Sequence, residues 1–221
     1  MPEHPGRQMT DAQNIVAARR SVRVAAVQIE GRAGDLAHNL RQAEALAADA
    51  LARGAKIVAL PEFFTTPCYV HPRIHEAIVG IDNPAKDMLV RLARQHGAYV
   101  GGSMLMRRGQ DVYNTYCLAG PDGRVQMHDK DQPTMWENCY YVAGNDDGVV
   151  ETDYGAAGLA VCWELVRWRT IKRFPAVQPL PFRKRRERVC ALAGRARAAR
   201  QSLRVHYGSR GHARDRHANR A

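Results

Sequence analysis

The stretch VRVAAVQIEGRAGDLAHNLRQAEALAADALARGAKIVALPE, residues 22–62, decides the fold. Residues 22–29 are β-branched and apolar and predict a buried strand. Asp35 is placed to cap the helix that follows. Along that helix Leu36, Leu40, Ala43, Ala47, Ala50 and Leu51 recur at helical spacing, and Gly54 is a natural stop. Residues 57–60 read as a second apolar strand, ending at Pro61. Working outward, residues 84–96 predict a helix with Pro84 at its start and Gly97 after its end. Residues 98–106 and 112–119 read as strands, Pro121-Asp122-Gly123 as a turn, and residues 125–128 as renewed extended chain. Residues 148–155 and 156–164 predict two more strands around Gly155. The order βαβα followed by several strands is that of a mixed α/β fold. No internal repeat is present.

The chain has 221 residues, 45% hydrophobic and 25% charged, which excludes a wholly disordered protein. No apolar run approaches the roughly 18 residues that a membrane helix needs. Residues 1–20 lack periodicity and an apolar core, so they are expected to be a mobile leader rather than a secretory signal. The five cysteines, at 68, 117, 139, 162 and 190, form no CxxC pair. Their odd number and wide scatter speak against a disulfide framework and for a reducing, cytoplasmic setting. The net charge of +11 is unevenly spread. Residues 1–171 hold 18 Lys+Arg against 20 Asp+Glu, whereas residues 172–221 hold 15 against two. The body is near-neutral and the end strongly basic, so the whole is not a globally basic nucleic-acid-binding protein.

Three residues suggest a chemistry. Cys162 closes the apolar run GLAVC, where a strand end can present its sulfur. A nucleophilic Cys needs a base and oxyanion donors. Glu62, in LPEFF, sits at the end of an apolar strand beside two aromatics, a partly desolvated setting suited to a base. Lys130, in HDKDQP, follows an extended segment and offers an ammonium to a developing oxyanion. Taken singly, each has an ordinary reading. Cys162 is equally a small buried hydrophobe, Glu62 a solvent-facing strand end, and Lys130 a surface lysine between Asp129 and Asp131.

Taken together, KIVALPEFFTTPCY, HDKDQPTMWENCYYVAG and YGAAGLAVCWE resemble, in order and spacing, the motifs of the nitrilase superfamily of carbon–nitrogen hydrolases. The resemblance covers about residues 22–173. It implies a four-layer αββα sandwich, with Glu62 as general base, Lys130 as oxyanion stabiliser, Cys162 as nucleophile and Glu137 as an additional active-site carboxylate. It further implies hydrolysis of an amide or nitrile in a small molecule through a Cys thioester, with the backbone N–H of Trp163 assisting Lys130. No metal or organic cofactor is expected, and family members commonly form homo-oligomers. Trp163-Glu164 after the nucleophile is more similar to the nitrile-converting branches than to amidase branches with Tyr-Asp there. Tyr69, Trp136, Tyr140 and Tyr141 are candidates for the substrate pocket or, equally, for core packing.

The resemblance fades after Trp168-Arg169-Thr170-Ile171-Lys172-Arg173. From Ala176 to Ala221 there are 12 Arg and nine Ala, with FRKRRERV at 182–189 and too few apolar residues to define strands. The expected organisation is a leader over 1–20, an incomplete hydrolase domain over 21–173, and a basic tail over 174–221. That tail is read as disordered or aberrant, as an out-of-frame reading of a GC-rich gene would be. The sandwich is accordingly expected to lack its C-terminal strands and helices, and the chain to be poorly soluble with low or no activity. Two rival readings remain. One is a non-catalytic remnant whose tail, Arg183 to Arg220, binds nucleic acid non-specifically. The other is a zinc site at Cys68, His71 and His75, spaced C-x2-H-x3-H.

Overall fold

The computed structural model describes residues 22–173, 189–193 and 206–207. The expected leader over 1–20, and the tail over 174–221 apart from those two short segments, lie outside the described residues. The chain begins with β1 (Val24–Ala26), α1 (Leu36–Ala52) and β2 (Ile57–Ala59), and β1 and β2 pair in parallel. The side chain of Asp35 accepts the His38 N–H at 2.9 Å and so caps α1 as expected. Then come α2 (Pro84–His96), β3 (Tyr99–Arg108), β4 (Asp111–Ala119) and β5 (Val125–Asp129). Asn83 caps α2 through the Lys86 N–H, and Gly97 ends it at φ +55°, a left-handed conformation that glycine adopts without a Cβ clash.

These strands form one sheet in the order β5-β4-β3-β2-β1-β9, where β9 (His206–Tyr207) meets β1 antiparallel. β6 (Val149–Thr152) and β7 (Gly155–Val161) form the hairpin expected around Gly155, and β8 (Val189–Ala193) adds to β7 in parallel. α3 (Trp168–Arg173) follows β7 after a short 3-10 turn. Among the described residues no helix is long and apolar enough to cross a membrane.

The two-residue alternation of the strands builds two cores. Val58, Leu60, Val100, Met104, Cys117 and Ala119 face α1 and α2, meeting Ala43, Ala47, Ala50, Met88, Leu89 and Leu92. Their neighbours Ile57, Tyr99, Tyr116 and Leu118 face the second sheet, meeting Val150, Ala157, Leu159 and Val161. Each fully buried side chain of this size contributes about 1.5–3 kcal/mol. Helix, sheet and sheet are thus stacked in the manner of the expected sandwich.

Two expectations need correction. The first strand is not buried on both faces: Ala25, Val27 and Ile29 pack toward the helices, while Val24 is 36% exposed. The second sheet meets β2 through β8 and β4 through β7. The tail, for its part, contributes strands. Val189-Cys190-Ala191-Leu192-Ala193 is one continuous apolar run, and such a run can extend an apolar sheet even between basic neighbours.

Candidate active site

Three strands end at one place. Glu62 follows β2, Lys130 directly follows β5, and Cys162 directly follows β7. The turn bearing Glu62 is held by Ser103 of β3. Its hydroxyl accepts the Phe63 N–H, and its carbonyl accepts the Phe64 N–H, both at 3.1 Å. Glu62, Lys130 and Glu137 are all buried. Lys130 Nζ donates to Glu62 Oε1 at 2.9 Å and to Glu137 Oε2 at 2.7 Å. Oxygen atoms of both carboxylates and the Cys162 sulfur lie within 4.8 Å of one another. The four side chains picked from the sequence therefore converge.

The hydrogen bonds divide each carboxylate into a fixed and a freer oxygen. Glu62 Oε1 also accepts from Asn114 Nδ2 at 3.0 Å, whereas Oε2 faces the Cys68 thiol at 3.6 Å. Glu137 Oε2 additionally accepts the Thr134 N–H and the Tyr141 hydroxyl, each at 2.6 Å, while Oε1 has no partner among the described residues. Burial disfavours the Lys130 ammonium, but Glu62 and Glu137 outweigh it and hold its pKa above the usual lysine value. Burial, and then Glu62 and Glu137, push the Cys68 thiol upward. Burial and the bond to Glu137 do the same for the Tyr141 phenol.

The backbone here is strained. Among the described residues the non-glycine residues with positive φ are Phe63 at +53°, Met135 at +53° and Cys162 at +59°, one in each of the three loops. Such conformations cost about 1–3 kcal/mol each and persist only where surrounding bonds over-determine them.

The aromatic candidates separate. Tyr141 is buried and belongs to the carboxylate network, and its ring also meets Phe63 edge-on at 6.1 Å. Trp136 and Tyr140 pack edge-on at 5.7 Å and border the cluster of Phe63, Ile74 and Leu105. Tyr69 is 53% exposed beside His71, and Trp163 is 49% exposed after Cys162. The proposed zinc ligands do not converge. Cys68 faces Glu62, His71 Nε2 lies 3.3 Å from Thr66 Oγ1, and His75 Nδ1 lies 2.9 Å from Pro72 O.

Sequence reasoning passed over Asn114, His128, Asp146 and Glu164. Asn114 lies in β4, and its polar side chain inside an apolar strand was the available signal. Glu164 was visible only as part of CWE, yet it is fully buried.

The sequence profile of the family described as carbon–nitrogen hydrolase matches residues 23–173. Among curated proteins, the chloroplastic omega-amidase of Arabidopsis thaliana is 29% identical over 147 residues, 59% of this chain and 40% of its own length. Omega-amidase NIT2 of Danio rerio is 31% identical over 140 residues, 58% and 50%. The bifunctional nitrilase/nitrile hydratase NIT4A of Lupinus angustifolius is 27% identical over 215 residues, 86% and 59%. The chain thus spans about half the length of the curated relatives it matches. An amidase from Nesterenkonia sp. AN1, solved with acrylamide added at its active-site cysteine, superposes with a TM-score of 0.64 at 21% identity, covering 79% of this chain and 67% of that one. A carbon–nitrogen hydrolase superfamily protein of Xanthomonas campestris, with an arsenic adduct in its active site, gives 0.62 at 27% identity over 77% and 64%.

Proposed function

This chain belongs to the carbon–nitrogen hydrolase family, and from that premise we propose that it hydrolyses an amide or nitrile of a small molecule through a thioester on Cys162. The observation that carries the reading is the buried Lys130 ammonium bonded to both Glu62 and Glu137 beside the Cys162 sulfur.

Glu62 is the general base. Its Oε1 is occupied by Lys130 and Asn114, so Oε2 receives the Cys162 proton. The thiolate attacks the amide carbon. Lys130 and the Trp163 N–H stabilise the oxyanion, each such donor being worth on the order of 3 kcal/mol at the transition state. Glu62 returns the proton to the leaving nitrogen, ammonia or an amine departs, and the acyl group remains on sulfur. Glu62 then takes a proton from water, the hydroxide attacks the thioester, and the carboxylic acid departs as the Cys162 sulfur leaves and takes the proton back from Glu62. Glu137 Oε1 is positioned to accept an N–H of the amide. A nitrile would need one further water before the same thioester forms. Residues of the partly buried Trp136–Tyr140 pair line the entrance, and the protein works as a homo-oligomer in a cytoplasmic setting.

The names of the relatives set the substrate panel: ω-amides of dicarboxylic acids, simple aliphatic amides and nitriles. Ammonia release from one of them by the full chain, abolished in Cys162→Ala, is the expected result. Turnover that survives Cys162→Ala would refute the assignment.

A further inference from the structure

Glu164 is fully buried two residues after the nucleophile, and its carboxylate bridges the two loops that carry Lys130 and Cys162. Oε2 accepts the backbone N–H of Val161, adjacent to Cys162, at 2.6 Å. Oε1 accepts the backbone N–H of Asp131, adjacent to Lys130, at 2.6 Å. Behind it, His128 Nε2 lies 3.2 Å from Oε2 and 3.3 Å from Oε1. His128 Nδ1 in turn lies 2.5 Å from Asp146 Oδ1. Asp146 is fixed by the N–H groups of Asp129 and Gly148, each at 2.8 Å. Packing at the ring is tight, since a Cβ on Gly148 would come within 3.1 Å of His128 Nδ1.

An imidazole with a carboxylate at each nitrogen can donate to both only as the imidazolium. In the neutral ring one lone pair would face a carboxylate oxygen, and one end of the chain would come loose. We propose that Asp146, charged His128 and Glu164 form a positioning brace that sets the spacing of Lys130 and Cys162 for the reaction. This inference rests on the hydrolase reading above for its catalytic consequence, though not for its geometry. The ionisable groups around His128 are Asp146 from the loop before β6, Glu164 from the turn after β7, and Asp131 from the turn after β5. All three are acids, and Asp131 also accepts the Thr170 hydroxyl at 2.7 Å. Burial lowers the affinity of His128 for its second proton, but the bonds to Asp146 and Glu164 outweigh it and push the pKa up to about 9. The brace therefore holds through neutral pH and slackens as pH rises through that value.

The test compares the full-length chain with Asp146→Asn and Glu164→Gln between pH 6 and 10. Two readouts are used: steady-state ammonia release, and the rate of Cys162 alkylation by iodoacetamide. Displacing reacting groups by about 1 Å costs about 100-fold, so Glu164→Gln should lower kcat by about that factor with KM within about twofold. Asp146→Asn removes one anion from His128, and the alkaline fall of kcat should move to lower pH by about one unit. The alkylation rate of this variant relative to wild type should change over the same range, and Asp146→Glu should restore both. The Asp146 side chain is 37% exposed, so its variants remain foldable should Glu164→Gln not be. If the Asp146→Asn profiles for ammonia release and alkylation both superpose on wild type, the brace is refuted. If the wild type turns over no amide or nitrile, the hydrolase reading fails, and the alkylation ratio alone still decides the brace.

Discussion

Replacing Lys130 by methionine removes a charge and leaves a side chain of similar length in a fully enclosed site. Two buried carboxylates, Glu62 and Glu137, then face each other without the ammonium that bonds them at 2.9 and 2.7 Å. Breaking a buried pair by deleting one partner costs about 3–5 kcal/mol, because the charge left behind is uncompensated. Here one cation serves two anions, so the loss should lie at the upper end of that range. Loss of the oxyanion donor alone should lower kcat by about 100- to 1000-fold. The measurements are urea denaturation and ammonia release on the same preparations. Pairing Lys130→Met with Glu137→Gln should recover part of the stability and none of the activity. A Lys130→Met protein with stability within 1 kcal/mol of wild type and activity within tenfold would refute the reasoning, because it would show that the ammonium neither neutralises the carboxylates nor meets the oxyanion.

Cys162 should be alkylated by iodoacetamide well before Cys68 at pH 7, because burial and Glu62 keep the Cys68 thiol protonated; peptide mass mapping that finds Cys68 modified first would overturn this. The pH dependence of stability has a definite sign at His128. Its folded-state pKa of about 9 exceeds its ordinary 6.5, so its contribution is complete below pH 6.5 and is lost as pH rises through 9. The shift corresponds to roughly 3 kcal/mol, read as a lower urea midpoint at pH 9.5 than at pH 6, with His128→Gln flattening the difference. Leu159→Ala, at a fully buried position between the sheets, should cost about 2–5 kcal/mol in chemical denaturation.

The sequence was legible wherever a local rule governs. α2 runs from Pro84 to His96 as its capping residues require, and the alternation of Ile57–Leu60 divides between two cores because a strand has two faces. The catalytic candidates were legible through motif order, with Glu62 and Cys162 each following an apolar strand and Lys130 following an extended segment. What escaped reading depends on contacts between distant segments. Nothing near Asn114 in the chain announces a bond to Glu62, 52 residues away. Glu164 looks like any charged residue in a short turn until the Asp131 N–H, 33 residues distant, is seen to meet it. Tyr141 read as a pocket aromatic because its ring is apolar, whereas its hydroxyl fixes its place against Glu137.

Why the site lies where it does follows from topology. β2 and β3 are parallel, β3 and β4 antiparallel, and β4 and β5 antiparallel, so β2, β3 and β5 run the same way and Glu62 and Lys130 emerge at one edge of the large sheet. β7 brings Cys162 to that edge from the second sheet, so the proposed nucleophile and its proposed base belong to different layers. No local interaction can hold such a pair in register. The task falls to the loops, and there the backbone is held at positive φ, at Phe63, Met135 and Cys162. Each strained residue has a restraint beside it: Ser103 bonds the Phe63 N–H, Arg167 reaches Gln132 O and Thr134 Oγ1 just before Met135, and Glu164 bonds the nearby Val161 N–H while also reaching the distant Asp131 N–H. Two of these restraints come from the segment after the nucleophile. That segment therefore helps to hold the candidate site, and on the proposed function changes to Glu164 or Arg167 should impair turnover.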